Sequence, residues 1–430
     1  MTTKHFDTLQ VHAGRNVTSN GPCATPIVQT SAFHFDSAAQ AANLFALKEF
    51  GNIYTRLSNP TTDVLEQRVA ALEGGAAAVA TSSGQAAQFL AIQNIAGEGD
   101  NIISSSSLYG GTYNQFKISF ARVGIECRFA PVNDPAAFEA LIDNRTKAIY
   151  IETISNSNFY IPDFEAFEKI SKRHGVPIVV DNTFGAGGYL CRPIELGAAI
   201  VTHSATKWIG GHGNSLAGVV VDSGKFRWDN GRFPQFTTRS ESYHGISFWE
   251  NFGEGSATGN IAFAVRARTE GLRDWGCCLS PFNAFLILTG VETLSLRVDR
   301  VVNNALELAK WLAAHPKVES VNYPGLVDNP NHERAKRYLT NGFGGVLSFA
   351  IKGSKEQASQ LVSRLDLISH LTNVGDNKTL ISHSASTTHS QMTPQELLIA
   401  GIGESSLRVS LGIEYIEDIK RDLQNAFSTI

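Results

Sequence analysis

The chain has 430 residues, 43% of them hydrophobic and 18% charged, with a formal net charge of −4. That length buries a large core and predicts two or three domains, while the scattered charge excludes a basic stripe for nucleic acid and a polybasic membrane segment, leaving small metabolites as the expected partners. The stretch Met1–Asp7 lacks a signal peptide's apolar core, no apolar run approaches the roughly 20 residues that span a bilayer, and five cysteines with Cys277 and Cys278 adjacent suit reduced thiols in a cytoplasmic protein.

In chain order, residues 1–61 are polar and rich in Pro, Asn and Ser, and read as an extended arm carrying the aromatic-basic stretch Tyr54-Thr-Arg56. Over residues 62–281, helical spacing (Asp63–Leu72, Gln85–Ile95, Pro162–His174) alternates with strand-like apolar runs (Ala148–Ile154, Pro177–Asp181, Ala199–His203, Leu216–Val221). That alternation predicts an α/β domain with a mainly parallel sheet flanked by helices. Residues 224–280 interrupt it with aromatic and glycine-rich sequence, placed either near a site mouth or subunit contact or as a satellite core under a long loop. Residues 282–430 begin with a long helix, Phe282–His315, with room for one break. A strand (Gly345–Ile351), a helix (Lys355–Leu365), a strand (Ser406–Gly412) and a closing helix (Tyr415–Phe427) follow. No internal repeat or low-complexity tract is present.

Chemistry concentrates at the ends of two of these runs. Lys207, in Ser204-Ala-Thr-Lys207-Trp-Ile-Gly-Gly, ends one strand among hydroxyls and glycines, and Asp181 ends another; open α/β sheets bind ligands at such carboxyl ends. A lone strand-end lysine is usually a solvated surface charge, and a lone strand-end aspartate a cap or turn residue. Together they form the pyridoxal phosphate arrangement: a Schiff-base lysine that becomes a base once displaced, facing a carboxylate that raises the ring nitrogen's pKa. The phosphate site this requires is offered by Ser83-Gly84-Gln85, where a helix is predicted to start, so that its free N–H groups, the Ser83 hydroxyl and the helix dipole cradle an anion. Taken alone, Ser83 is an ordinary N-cap. Ser204 and Thr206 add hydroxyls beside the lysine. His203, His212, His383 and His389 match no zinc-ligand spacing, so no metal is expected.

These residues, with Tyr54-Thr-Arg56, Ser82-Ser-Gly-Gln-Ala-Ala87, Leu108-Tyr109-Gly-Gly-Thr112, Glu152-Thr-Ile-Ser-Asn156, Asp181-Asn-Thr183 and Ser406-Leu-Arg408-Val-Ser-Leu-Gly, resemble the Cys/Met-metabolism pyridoxal phosphate enzymes. The resemblance runs from about residue 6 to the C-terminus and implies a type I, aspartate-aminotransferase-like fold: a large, mainly parallel sheet domain plus a smaller C-terminal α/β domain. It implies Lys207 as the Schiff-base lysine, Asp181 at the ring nitrogen with Thr183 a further contact, and Ser83, Gly84, Gln85, Ser204 and Thr206 around the phosphate. Tyr109 would stack on the ring and share proton transfer, Asn156 would sit near the phenolic oxygen, and Arg408 would hold the substrate carboxylate in a bidentate pair. An unpaired guanidinium in Arg408's apolar run wants an anion in any case, and a structural salt bridge is the alternative. Tyr54 and Arg56 would reach the neighbouring subunit's phosphate in a homotetramer of two tight dimers.

Within the family, Gly111 stands where methionine γ-lyases place a cysteine. The 224–280 segment and Asn373-Val-Gly-Asp376 followed by His383-Ser-Ala-Ser-Thr-Thr-His389 resemble the O-acetylhomoserine sulfhydrylase branch, with Asn373 at the substrate carboxylate. The implied reaction is γ-replacement on O-acetyl-L-homoserine by sulfide, giving L-homocysteine and acetate for methionine and cysteine biosynthesis. Cystathionine γ-lyase or γ-synthase is the alternative within the family, and a non-catalytic relative the distant one. A serine acyl-transferase reading of Ser204-Ala-Thr-Lys207 fails because Lys378-Thr379 is followed by Leu380 rather than glycine.

Overall fold

The computed structural model describes residues 4–15, 21–243, 245–383 and 403–430. Of the sequence motifs above, residues 384–389 of the His383–His389 run lie outside them. Seven strands, β1 (Ala77–Thr81), β2 (Asn101–Ser105), β3 (Glu126–Ala130), β4 (Thr146–Glu152), β5 (Ile178–Asp181), β6 (Ile200–Ser204) and β7 (Gly218–Asp222), form one sheet in the order β1-β7-β6-β5-β4-β2-β3. Strands β3, β2, β4, β5 and β6 pair in parallel, while β7 runs antiparallel to both β6 and β1. A second sheet, of β8 (Val318–Asn322), β9 (Val346–Ile351), β10 (Ser369–His370), β11 (Leu380–His383) and β12 (Ser406–Ser410), has the order β10-β11-β12-β9-β8. The expected α/β architecture with a mainly parallel large sheet is therefore present.

Local chemistry fixes the helices that pack on the large sheet. Asn59 caps the helix Pro60–Glu73 by accepting the Thr61 N–H, proline occupies the first turn where a missing donor costs nothing, and Gly74 ends it at a φ of 74°. Asp163 caps Phe164–His174 in the same manner, and Lys172, Arg173 and His174 complement its C-terminal dipole.

Strand alternation divides the core in two. Ile149, Ile151, Val180 and Val201 pack on one face of the large sheet with Leu65, Phe167 and Ile287 from the helices. Ala148, Tyr150, Val179 and Ile200 face the opposite core. That second core is filled by the 224–280 segment: Trp228 stacks on Phe236 with centroids 4.8 Å apart and on Phe263 at 5.3 Å, among Phe233, Phe248 and Phe252. The insertion thus joins the helix Gly84–Gln93, Phe116 and Phe120 in covering this face of the sheet, so its aromatics belong to a main core rather than to a satellite one. By the two-residue period of a strand, Glu152, Asp181, Thr202 and Ser204 project on this same face at the carboxyl ends of β4, β5 and β6.

One element differs from the sequence reading: the arm holds short helices at Phe6–His12 and Ala38–Phe45. The long helix has the one break that the sequence left room for, Pro281–Val291 being followed by Leu294–Ala313. At the break Arg297 donates to the carbonyls of Gly290 (2.6 Å) and Trp208 (2.8 Å), so one buried guanidinium caps a helix end and braces the turn after Lys207.

Candidate active site

A cavity of about 230 Å³ opens at the carboxyl ends of β4, β5 and β6. It is bounded by the start of the helix Gly84–Gln93, the Tyr109 loop and, from the second sheet, Arg408. Eleven of the sequence-predicted residues line it: Ser83, Gly84, Gln85, Tyr109, Asn156, Asp181, Thr183, Ser204, Thr206, Lys207 and Arg408. Residues from 83 to 207 converge because parallel strands put their carboxyl ends on one edge, and Arg408 reaches the same cavity from β12 of the second sheet.

The helix Gly84–Gln93 starts against the Lys207 strand. Ser83 is its N-cap, its oxygen accepting the Ala86 N–H at 3.1 Å, so the ordinary capping role holds and the hydroxyl hydrogen stays available to a further acceptor. Gly84 lies so close to β6 that a Cβ would fall 2.7 Å from the Ser204 Cβ and 2.9 Å from its Cα; only glycine lets the helix terminus meet the Ser204 hydroxyl. The first amides of the helix lack intrahelical partners and point into the cavity with the positive end of the dipole. Thr206 exchanges hydrogen bonds with Ala217, accepting its N–H at 3.0 Å, which fixes the turn before Lys207.

Lys207 donates to Asn373 Oδ1 at 2.5 Å. Asn373 itself is not among the lining residues, although its neighbours Thr372 and Val374 are, and its segment comes this close because Gly375, at a φ of 71°, leaves no room for a Cβ, which would lie 2.6 Å from the Trp208 backbone nitrogen. Burial, reinforced by the positive charge of Arg408, pushes the Lys207 amine below the usual lysine range. Arg408 is buried on β12, its own pKa lowered by desolvation, and donates to Asn156 Oδ1 at 2.9 Å. No ion pair among the described residues includes it, so the structural salt bridge weighed as its alternative is absent.

Opposite these cations stand two acids. Asp181 accepts the Thr183 N–H at 2.9 Å, with the Tyr150 hydroxyl 3.5 Å from its other oxygen, and burial raises its pKa. Glu152, its register partner on β4, is pushed up to about 8 by burial and by the Asp181 charge. Glu152 accepts the backbone N–H of Tyr109 at 2.6 Å and of Asn156 at 2.8 Å. Sequence reasoning gave Glu152 no role, although it ends an apolar run just as Asp181 does. It also missed Gln88, which accepts from Tyr150 (3.0 Å) and Thr112 (3.2 Å), a polar residue inside an apolar helix face.

Tyr54 and Arg56 are not brought to this cavity. The Arg56 guanidinium lies 5.4 Å from the Tyr54 ring centre and donates to the Arg273 carbonyl.

The family model for Cys/Met metabolism PLP-dependent enzymes matches residues 7–428. A homocysteine/cysteine synthase of Saccharomyces cerevisiae is 53% identical, the match covering 99% of this chain and 98% of that protein. An O-acetyl-L-homoserine sulfhydrylase of Thermus thermophilus is 52% identical over 98% of this chain and 100% of its own length. Among solved structures, a Campylobacter jejuni protein described as an O-acetylhomoserine (thiol)-lyase superposes with a TM-score of 0.93 at 38% identity, covering 99% of this chain and 100% of that one, and contains an N'-pyridoxyl-lysine-5'-monophosphate. The cavity fits pyridoxal phosphate: a cradle that a Cβ at position 84 would fill and, among the described residues, a desolvated carboxylate at Asp181 without an ion-paired cation and a desolvated lysine without an ion-paired acid. Among the described residues no group of His, Cys, Asp and Glu is arranged to hold a metal ion.

Proposed function

This chain belongs to the Cys/Met metabolism PLP-dependent enzyme family, and from that premise we propose that it replaces the acetate of O-acetyl-L-homoserine with sulfide, forming L-homocysteine in methionine and cysteine biosynthesis. The observation that carries an amino-acid substrate is Arg408: a buried guanidinium without an acid, oriented by Asn156 in the cavity that holds Lys207. Its planar donors suit the two oxygens of an α-carboxylate.

Pyridoxal phosphate supplies a sink for the negative charge that develops at the amino acid's α-carbon. Lys207 carries it covalently and, freed by the substrate amine, moves protons at Cα and Cβ; its lowered pKa suits a base working near neutrality. Asp181, steadied by Thr183, keeps a proton on the ring nitrogen. Ser83, Gly84, Gln85, Ser204 and Thr206 take the phosphate, and Tyr109 covers the ring face and shares proton transfer. Asn373 holds the Lys207 amine and flanks the substrate carboxylate. Tyr54 and Arg56, turned away from their own cavity, reach the phosphate of a neighbouring subunit in a cytoplasmic homotetramer. Residues 1–61 thus act as the arm, 62–281 as the cofactor domain and 282–430 as the linker helix and C-terminal domain.

The experiment is product analysis of the cofactor-loaded protein given O-acetyl-L-homoserine with and without sulfide. Sulfide-dependent homocysteine matched by acetate is expected. Keto acid released without homocysteine would replace this reading with elimination.

A further inference from the structure

Among the buried groups that the reaction leaves without a task, Glu152 is joined to the most of its machinery. Its carboxylate lines the cavity, and each oxygen accepts a backbone hydrogen bond from another lining residue, one from the Tyr109 N–H at 2.6 Å and the other from the Asn156 N–H at 2.8 Å. These amides belong to separate loops, one after β2 and one after β4. The Tyr109 loop is tied on its far side as well, since Gln85 Nε2 donates to the Gly111 carbonyl at 3.1 Å and the Thr112 hydroxyl to Gln88 at 3.2 Å. The Asn156 loop meets Arg408 of β12, which donates to the Asn156 side chain at 2.9 Å. One carboxylate therefore stands at the junction of the residue that covers the ring and the residue that aims the carboxylate-binding guanidinium.

We propose that Glu152 is a positioning residue: by accepting both amides at once it fixes the Tyr109 ring and, through Asn156, the Arg408 guanidinium in one mutual arrangement, so that cofactor stacking and substrate-carboxylate binding are set together. Carboxylate chemistry is required for this. Two N–H donors converge on two oxygens, and an amide at the same place offers one acceptor while turning its NH2 against the other donor. Hydrogen bonds to an ionised acceptor are the strong kind, so the clamp is tightest when Glu152 is charged. Ring-nitrogen cation at Asp181, the strand neighbour of Glu152, favours that charged form, which links cofactor seating to the tightening of both loops.

The inference rests on the residue roles proposed above for Tyr109 and Arg408, and its test separates from the test of the reaction. In Glu152→Gln, titration of the cofactor-free protein with pyridoxal phosphate should show affinity weakened about 10-fold. The visible circular-dichroism band of the bound cofactor, which reports ring orientation, should shrink, and KM for O-acetyl-L-homoserine should rise about 10-fold, more than kcat falls. Unchanged affinity, band and KM would overturn the proposal, whether or not homocysteine is the product. Should Glu152→Gln not fold, amide hydrogen exchange on the unaltered protein decides: the Tyr109 and Asn156 amides should be protected without cofactor and more strongly so with it. Exchange at loop rates in both states would sink the idea.

Discussion

On one face of β5 and β6, Glu73 lies 2.7 Å from both His203 and the Asn182 side-chain nitrogen, while Thr153 donates to Asn182 at 2.6 Å; all four side chains are buried. On the other face Asp181 and Glu152 end neighbouring strands in an open cavity, with no cation within ion-pair range among the described residues. Both clusters are acids taken out of water at the same strand ends. The first finds its partners within the chain through one Glu73 oxygen, although Glu73 Oε2 and His203 Nδ1 have no hydrogen-bond partner among the described residues, and it ties β4, β5, β6 and the helix Pro60–Glu73 together. The second has no counter-charge among the described residues, and burial raises both of its pKa values, which leaves it to be matched by something that arrives from outside. A buried acid matched internally serves the fold, and one left unmatched beside a cavity marks a ligand.

The largest effect that would sharpen this contrast is on the cavity side. Lys207→Ala should lower homocysteine formation roughly 10⁴-fold while leaving the melting temperature close to that of the parent, measured with cofactor in excess. Retained turnover would remove Lys207 from its proposed role. The reverse signature is expected behind the sheet: Glu73→Ala strips a partner from His203 and Asn182 and should cost about 3–5 kcal/mol in denaturant unfolding, with kcat/KM of the folded fraction within about twofold of the parent. A large loss of activity at unchanged stability would erase the distinction between the faces.

The smallest effect is in pH. The folded-state pKa of Glu152, about 8, lies above that of an unfolded glutamate, so the folded protein binds the extra proton. The stability this gives is complete below the unfolded pKa of about 4.5 and is lost as pH rises through about 8. Asp181 shifts in the same direction. The cofactor-free protein should therefore melt several degrees lower at about pH 9 than at about pH 6. The loaded protein should lose less, because the ring nitrogen's positive charge offsets the two acids. Equal losses in both states would show that the pair does not face the cofactor.

How far the sequence could be read follows the same physics. Asp181 and Lys207 were legible because each ends an apolar run, and Ser83-Gly84 because a small polar pair precedes helical spacing. Strand β1 was not, since Ala77–Thr81 is made largely of small residues that carry little strand signal, and β10 spans only Ser369–His370. Glu152 ends an apolar run as Asp181 does, and nothing in spacing or composition separates a task for it from that of Asp181. Neither spacing nor composition could bring Asn373 to Lys207, across 166 positions, or Arg408 to Asn156, across 252; resemblance put these residues at the site but did not pair them with each other. The aromatic segment 224–280 was ambiguous for a physical reason: Trp and Phe look alike in sequence whether they rim a mouth or roof a sheet, and here Trp228 is fully buried.

Trp208 directly follows Lys207, is 3% exposed and meets the ring of Phe184, a cavity residue, edge-on at 5.0 Å. A rigid indole one peptide bond from the attachment point is an energy donor to any chromophore held there, and pyridoxal phosphate absorbs near where indoles emit. Its fluorescence thus becomes an intrinsic occupancy gauge, dimming as each site is loaded and recovering on release, with no label, no substrate and no coupled assay.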